Sequence, residues 1–172
     1  MNNENALSSI ESCIQELDRI ETLIENLLGH TSPIIPYLTK YAIVRTCGTI
    51  EYCFKTIIAD LHIGTPQVLN YIDKTIRQSS MNPSINNICS TLKKFDENWN
   101  DTFLDKIRNH EHPQRLRDSI DSLNNARNSF AHGGTPTSTF DNVRNYFNDT
   151  VILIKMLDEV VAEENISEES TD

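Results

Sequence analysis

The chain has few residues that break helices and no apolar run long enough to cross a membrane. It contains 5 Gly and 6 Pro among 172 residues and no internal repeat, which argues against disordered, collagen-like and solenoid chains. A membrane span needs about 20 consecutive apolar residues, and residues 1–10 lack the positive start and apolar stretch of a secretory signal. These absences predict one compact cytoplasmic domain with no membrane association.

The cysteines and histidines form no recognisable metal motif. The chain has no CxxC pair and no His at zinc-ligand spacing, so we interpret its cysteines as reduced core thiols (Cys13, Cys47, Cys53 and Cys89). His110 and His112 flank Glu111 without a third ligand nearby in the sequence, a pattern typical of a solvated surface patch. We therefore predict no metal site and no cofactor.

Acidic and basic residues are unevenly distributed. The formal net charge is −10, and residues 158–172 contain seven acidic and no basic side chains. We predict a helical domain over residues 1–164 and an acidic, disordered tail over residues 165–172. Residues 106–132 reverse the balance, with five Lys or Arg against three Asp or Glu. One end of the molecule is therefore expected to be locally basic.

Apolar residues recur at steps of three and four, which predicts an all-helical chain. The first helix is predicted over residues 4–28 and ends at Gly29. A more apolar helix over residues 37–63 is expected to be the most buried, and Thr65 followed by Pro66 begins a third helix that ends near residue 77. The first helix should face the core through one stripe (Ile10, Ile14, Leu17, Ile20, Ile24 and Leu27).

The second half of the sequence predicts two short helices, over residues 84–95 and 101–108, followed by two long ones. Pro113 sits at the first turn of a helix that ends at Gly133. The last helix is predicted over residues 138–163. We expect an antiparallel four-helix bundle with short helical insertions. The penultimate long helix should face inward through Leu116, Ile120, Leu123 and Phe130.

Residues 127–133, RNSFAHG, end this penultimate helix and are the one place where an Arg precedes a His by five residues. His132 falls in the last turn, where the helix dipole favours a cation, and Gly133 lets the chain turn away. This segment resembles the hallmark of the HEPN superfamily: an Arg, a polar residue and, a few residues later, a His. The branch it is most similar to is RiboL-PSP-HEPN.

A second resemblance lies in the buried second helix. Arg45, followed by Ile50, Glu51 and Tyr52, is similar to a segment of these proteins that places an Arg and an Ile-Glu pair ahead of an aromatic residue. The resemblance implies a four-helix bundle that dimerises and, in active members, cuts RNA without a metal. Related toxins that pair with nucleotidyltransferase-fold antitoxins carry a Tyr two residues after the His, where this chain has Gly134. Inhibition by a bound antitoxin or a regulatory ATPase is therefore expected instead of modification of that Tyr.

Metal-free RNA cleavage requires a base for the 2′-hydroxyl, a positive group for the phosphorane and an acid for the leaving 5′-oxygen. We assign acid or base work to His132 and the phosphate clamp to Arg127. Five residues turn an ideal helix by about 500°, which leaves these side chains about 140° apart. Asn128 shares the face of His132 and is expected to orient its ring. A productive site then needs either a loosened helix end or a twofold dimer.

These observations predict a metal-independent endoribonuclease of a toxin–antitoxin or antiviral defence system. It would act as a homodimer on single-stranded RNA or tRNA and leave 2′,3′-cyclic phosphate and 5′-hydroxyl ends. Glu51 is expected to hold Arg127 or Arg45, or to form an ordinary buried ion pair. The overall acidity favours the alternative, a non-catalytic HEPN module that binds a protein partner or a nucleotide. The residues expected to guide RNA are Arg108, Arg115 and Arg117.

Overall fold

The computed structural model describes residues 1–29, 31–61, 64–135 and 137–168. These residues form helices and no strand, which confirms the all-α prediction. None of the described helices combines the length and the apolarity needed to cross a membrane. The helices are α1 (Glu4–Leu23), α2 (Ile35–Asp60), α3 (Pro66–Ile72), α4 (Ile85–Phe95), α5 (Glu97–Arg108), α6 (Pro113–Ala131) and α7 (Phe140–Glu168), and π-helical turns extend α1 (Ile24–Leu28) and α3 (Asp73–Arg77).

Most helix ends lie at the local signals that predicted them. The Ser84 side chain accepts a hydrogen bond of 3.2 Å from the Asn87 backbone and begins α4. α5 begins at Glu97, earlier than predicted, because the Asp96 carboxylate accepts a hydrogen bond of 2.6 Å from the Asn98 backbone.

Two predicted boundaries lie at the edges of the described chain. α2 ends at Asp60, and residues 62 and 63, where its end was predicted, lie outside the described residues. α7 is described through Glu168, beyond the predicted start of the acidic tail at residue 165. Residues 169–172 lie outside the described residues.

The four long helices, α1, α2, α6 and α7, form the bundle, and α4 and α5 pack against each other beside it. α2 lies at the centre, because it packs against α1, α6 and α7. Contacts that pair early residues of one helix with late residues of the next make α2 antiparallel to both α1 and α6. These contacts join Cys53 to Ala6, Arg45 to Glu16, Cys47 to Leu123 and Lys40 to Phe130.

The core is built mainly around α2, which was predicted to be the most buried helix and has fourteen buried residues. Two residues predicted to face inward do not. Leu27 is 78% exposed, because the π-helical turn over Ile24–Leu28 turns less per residue than an α-helix and rotates Leu27 out of the stripe. Phe130 is 38% exposed, because the core-facing side of α6 continues past the end of the core.

One buried carboxylate of α7 binds the backbone at the start of α1. Asp158 of α7 is 3% exposed, and its Oδ1 accepts a hydrogen bond of 2.9 Å from the Asn3 backbone. Its Oδ2 accepts a second bond from the Asn2 backbone. A carboxylate at a helix N-terminus is favoured by the helix dipole and by charge-assisted hydrogen bonds. The first member of the acidic run is therefore a structural cap for α1.

Replacing Asp158 by Ala should lower the free energy of unfolding by about 2 kcal/mol, because two backbone donors lose a charged acceptor. Urea denaturation measures this loss. Glu159→Ala is the matched control: Glu159 is exposed and pairs with Lys106 across 3.1 Å, so its loss should cost under about 0.5 kcal/mol. Equal losses for the two variants would contradict the capping role.

Candidate active site

The core-facing stripe of α6 continues past the end of the core. Positions 116, 120, 123, 127 and 130 follow the spacing of one helix face. Leu116, Ile120 and Leu123 are fully buried, whereas the next two side chains, Arg127 and Phe130, are 40% and 38% exposed. An Arg thus occupies a position that packing would give to an apolar residue. Local departures of this kind are typical of functional sites.

Arg127 is held by two neighbours and still open to solvent. Its Nη1 donates a hydrogen bond to Oδ1 of Asn82, in the connection before α4. Its Nη2 lies 4.0 Å from Oε2 of Glu51, on α2. A contact at this distance and exposure contributes little to stability. The pair therefore orients the guanidinium and leaves donors free for an anion.

Glu51 also binds a buried lysine. Lys55 Nζ donates to Glu51 Oε1 across 2.6 Å and to the Ser79 carbonyl. The Lys55 charge needs this partner because the side chain is almost fully buried. Glu51 therefore has a structural ion pair with Lys55 and a looser contact with Arg127. The two oxygens of this carboxylate therefore lie beside different cations, Oε1 beside Lys55 and Oε2 beside Arg127.

Asn82 is the residue of this site that the sequence did not indicate. The Asn82 Oδ1 accepts a hydrogen bond from Arg127, and the Asn82 Nδ2 donates one to Asn128 Oδ1 across 3.0 Å. Its own carbonyl accepts from Asn87 Nδ2 across 2.7 Å. Asn82 thus links α6 to the start of α4. The Asn-Pro pair at 82–83 indicates a turn, but nothing in the sequence shows that this turn reaches Arg127.

Asn128 does not contact the ring of His132 in the way we expected. Its Oδ1 is occupied by Asn82, on the side of the 78–84 connection. His132 is exposed, and its backbone N–H donates to the Asn128 carbonyl across 3.0 Å. α6 itself ends at Ala131, and His132 is its C-cap, with φ −93° and ψ 17°. The hydrogen bond of His132 to Asn128 still follows the α-helical pattern, so ideal helix geometry places Arg127 and His132 about 140° apart.

α6 ends in a Schellman motif that exposes His132. Gly133 has φ 80° and donates to the Phe130 carbonyl across 3.0 Å, and Gly134 donates to the Ser129 carbonyl across 2.8 Å. A Cβ at position 134 would lie 2.6 Å from Ser129 Oγ and 2.9 Å from the Ser129 carbonyl oxygen. A Tyr at this position would force this turn to open. The absence of that Tyr therefore has a local structural reason.

The supporting residue Arg45 lies on another side of α2. It binds Glu16 of α1 through a two-pronged contact, with distances of 3.0 Å from Nε to Oε2 and 2.9 Å from Nη2 to Oε1. Hydrogen bonds from Arg45 and from the Tyr41 hydroxyl hold the pKa of Glu16 below its usual range. Arg45 and Glu51 are six positions apart, about 120° around the helix. Arg45 therefore fixes α1 to α2 and does not reach Arg127.

The three arginines expected to guide RNA lie in different environments. Arg108 binds Asp105 one turn earlier across 2.8 Å. Arg115 binds the buried Asp149 across 2.6 Å, so it anchors α6 to α7. Arg117 is half-buried beside α4 and α5 and makes no hydrogen bond or ion pair with any other described residue. Of the three, only Arg117 keeps an uncompensated charge in the described part of the chain.

An exposed stripe on α2 adjoins the end of α6. Its side chains share one helix face and are about half exposed or more, with Gly48 among them. Lys40 links the stripe to α6, because its Nζ lies 5.6 Å from the Phe130 ring centre and 5.8 Å from that of Tyr37. The α2 stripe consists of Tyr37, Tyr41, Val44, Gly48 and Tyr52.

Metal ligands are not grouped in the described part of the chain, where no three His, Cys, Asp or Glu side chains lie close enough to hold an ion. His110 and His112 meet edge to face, with ring centres 6.4 Å apart. His110 Nδ1 accepts a 3.1 Å hydrogen bond from the His112 backbone. This contact closes the turn before α6.

Comparison with known protein families identifies the fold. The sequence model of the family RiboL-PSP-HEPN matches residues 2–163, which is nearly the whole chain. The chain belongs to the RiboL-PSP-HEPN family. HEPN membership indicates an RNase-like or nucleotide-binding module, and HEPN domains often bind RNA and dimerise. Searches of curated proteins and of solved structures give no significant match.

The turn after His132 should tolerate no side chain at position 134. Gly134→Ala is expected to lower the free energy of unfolding by about 1–3 kcal/mol, because the new Cβ meets a backbone oxygen. Thr135→Ala, at the next and exposed position, should change it by less than about 0.5 kcal/mol. Thermal denaturation compares the two variants. A Gly134→Ala protein as stable as wild type would show that the turn can rearrange freely.

Proposed function

We propose that this HEPN protein is a metal-independent endoribonuclease. The observation that carries the proposal is the half-exposed Arg127 at a core-facing position of α6, five residues before an exposed His132. Arg127 would bind the scissile phosphate and stabilise the charge of the phosphorane. His132 would either accept the proton of the 2′-hydroxyl or donate a proton to the leaving 5′-oxygen. The products would carry 2′,3′-cyclic phosphate and 5′-hydroxyl ends.

The contacts of Arg127 suit this role. Asn82 and Glu51 fix the guanidinium from the protein side, so less side-chain freedom is lost when a phosphate binds. The Glu51 contact is long, and Glu51 keeps Lys55 as its main partner. A phosphate can therefore bind Arg127 without leaving Glu51 unpaired. Asn128 would contribute as a neighbour of Arg127 through Asn82, and Arg45 would act only by holding α1.

A homodimer would bring the two groups to one phosphate. In one chain Arg127 and His132 leave α6 about 140° apart, so a single copy does not converge on a substrate. In a twofold dimer the Arg127 of one copy and the His132 of the other can face one cleft. The α2 stripe supports this arrangement because it is apolar, uncovered and continuous with Phe130. Gly48 would let two such stripes approach closely.

The first experiment is RNA cleavage in EDTA by the purified protein, with tRNA and a mixed-sequence single-stranded RNA as substrates. Wild type should cut and leave cyclic phosphate ends. His132→Ala should lower the rate by at least about 100-fold, which is the usual loss for a missing acid or base. Arg127→Ala should lower it by about 100- to 1000-fold. Arg127→Lys should remain impaired, because Lys lacks the planar fork.

His112→Ala is the matched control, since His112 is an exposed His at the opposite end of α6. Its rate should equal that of wild type, and all variants should keep their helical circular dichroism. Equal background rates from every protein would overturn the nuclease proposal. The α2 stripe would then favour the other candidate, a non-catalytic HEPN module that docks a protein partner there.

Gly48→Leu tests the dimer. A Cβ at position 48 meets nothing within 4 Å in one copy, and Gly in a helix interior costs about 1 kcal/mol relative to better helix formers. The variant should therefore keep its helical content, become monomeric in sedimentation velocity and lose cleavage. Asn125→Leu, on the opposite and exposed side of α6, should stay dimeric and active. A dimeric, active Gly48→Leu protein would exclude the α2 stripe as the interface.

The biological role we propose is that of a toxin–antitoxin or antiviral defence nuclease acting in the cytoplasm on single-stranded RNA or tRNA. Such an enzyme must be inhibited until it is needed. The turn at Gly134 has no room for the Tyr through which related toxins are modified. A bound antitoxin or a regulatory ATPase subunit is therefore the proposed means of control. Growth arrest on expression of wild type but not of His132→Ala would support a toxic nuclease.

A further inference from the structure

A second cleft lies on the side of the bundle, between α4, α5 and α6. Its volume is about 490 Å³. Ile85, Cys89 and Leu104 give it an apolar floor, and Lys93, Lys94 and Arg117 stand at its edge. We call it the Lys93–Arg117 cleft. Neither Arg127 nor His132 borders it, so it is separate from the candidate active site.

The three cations of this cleft have no acidic partner in the part of the chain that the structure describes. Within the described residues, the side chains of Lys93, Lys94 and Arg117 make no hydrogen bond and no ion pair within 4.0 Å. Some cations of the bundle are paired, among them Lys55 with Glu51 and Arg115 with Asp149. Three uncompensated positive charges around one concave surface focus the local field and favour a polyanion.

A buried acceptor beside the same cleft also lacks a partner. Asn100 borders the cleft and is 1% exposed. Its Nδ2 donates to Asp101 across 2.9 Å, whereas its Oδ1 has no donor. An unpaired buried acceptor is costly, and such a group calls for a specific explanation. An amino or imino N–H of a nucleobase is a donor of the required kind.

We infer that the Lys93–Arg117 cleft binds one nucleotide of a single RNA strand whose scissile phosphate lies at Arg127. The phosphate would contact the three cations, and the base would lie on the apolar floor beside Asn100. This inference rests on the proposed function, because the strand is the substrate of that same site. It assigns substrate contacts to Lys93, Lys94 and Asn100 in addition to Arg117.

The two sites lie on one path. Arg117 and Arg127 are ten residues apart on α6, a rise of about 15 Å. The connection that contacts Arg127 through Asn82 leads directly into α4, which carries Lys93. Asn124 lies between them on α6 and donates to the Pro83 carbonyl across 3.1 Å. At about 3.4 Å per stacked nucleotide, a strand would cover this distance with about four or five nucleotides.

Binding of a twelve-nucleotide single-stranded RNA, fully 2′-O-methylated so that it cannot be cut, tests the cleft by fluorescence anisotropy. Lys93→Glu should raise the Kd by about tenfold and reduce the slope of log K against log salt by about 1. Lys155→Glu, at an exposed position of α7, makes the same change in net charge. Its Kd should stay within about twofold of wild type. Equal effects of the two substitutions would overturn the inference.

Substrate length separates this inference from the proposed nuclease. A three-nucleotide RNA at Arg127 is too short to reach the cleft, so Lys93→Glu should slow the cutting of the twelve-nucleotide RNA but not of the trinucleotide. If wild type cuts and Lys93→Glu cuts the twelve-nucleotide RNA at the same rate, the inference about the cleft is overturned and the nuclease proposal stands. Binding that depends on Lys93 without any cutting would overturn the nuclease alone. Absence of both binding and cutting would overturn both proposals.

Cys89 supplies a local probe. It is the one partly exposed cysteine, since Cys13, Cys47 and Cys53 are buried. Burial raises the pKa of the Cys89 thiol, an effect that Arg117 and Lys93 oppose. Burial also raises the pKa of Cys47 and of Cys53 to about 12, so alkylation at pH 8.5 should modify Cys89 first.

The twelve-nucleotide RNA should slow the alkylation of Cys89 at least fivefold in wild type. In the Lys93→Glu variant, the alkylation rates with and without the RNA should be equal. A mononucleotide at the same phosphate concentration should protect Cys89 weakly. Strong protection by the mononucleotide and none by the RNA would show that the cleft binds a free nucleotide, and would overturn the inference that it binds an RNA strand. An unchanged rate with RNA would also overturn the inference.

Discussion

The candidate site depends on one packing constraint: the core-facing stripe of α6 is longer than the core that it covers. About two turns of this stripe, from Leu116 to Leu123, are sealed by α2 and α7, and the last turn and a half is not. The same geometry that buries Leu123 therefore brings Arg127 to the surface of α2 with its guanidinium half in solvent. A charge at a sealed position would carry a large desolvation cost. At this position it is tolerated because solvent and two polar neighbours remain in reach.

The end of α6 keeps Arg127 and His132 on different faces, so under the proposed function a second copy has to supply one of the two groups. The Schellman motif at Gly133 and Gly134 follows a helix that is regular through Ala131, with His132 as its C-cap, and turns the chain sharply away. A frayed end could have swung His132 towards Arg127 within one chain. The regular end holds the two side chains on different faces. The uncovered α2 stripe, on the side of Arg127, is where a second copy would supply the missing partner.

Helix ends could be predicted from the sequence because their signals are local. Pro113, Ser84 and Gly133 act within one turn of their own positions, and the structure has helix boundaries beside each of them. Facing directions were less predictable, since the π-helical turn that exposes Leu27 depends on a hydrogen bond that shifts by one residue. Phe130 was wrongly expected to be buried because periodicity reports a direction and does not report where the neighbouring helix ends.

Contacts between distant parts of the chain were the least predictable. Asn82 lies in a connection without periodicity, and only the docking of α4 beside α6 brings it to Arg127. Arg45 was one of the two arginines that Glu51 was expected to hold, yet Glu16 of α1 binds it on another face of α2. The motif at residues 127–133 could be recognised because its spacing is short. Its neighbours depend on tertiary packing, for which the sequence has no comparable signal.

The net charge of −10 conceals how the charges are used. Asp158 caps α1 and Asp149 binds Arg115, so part of the acidic total is consumed in holding helices together. Glu16 does the same with Arg45. The Asp149–Arg115 and Glu16–Arg45 ion pairs leave fewer unpaired charges on the bundle surface, and they involve neither Arg127 nor the cations of the Lys93–Arg117 cleft. An acidic protein can thus present locally positive surfaces to RNA, because local field and not total charge governs the approach of a phosphate.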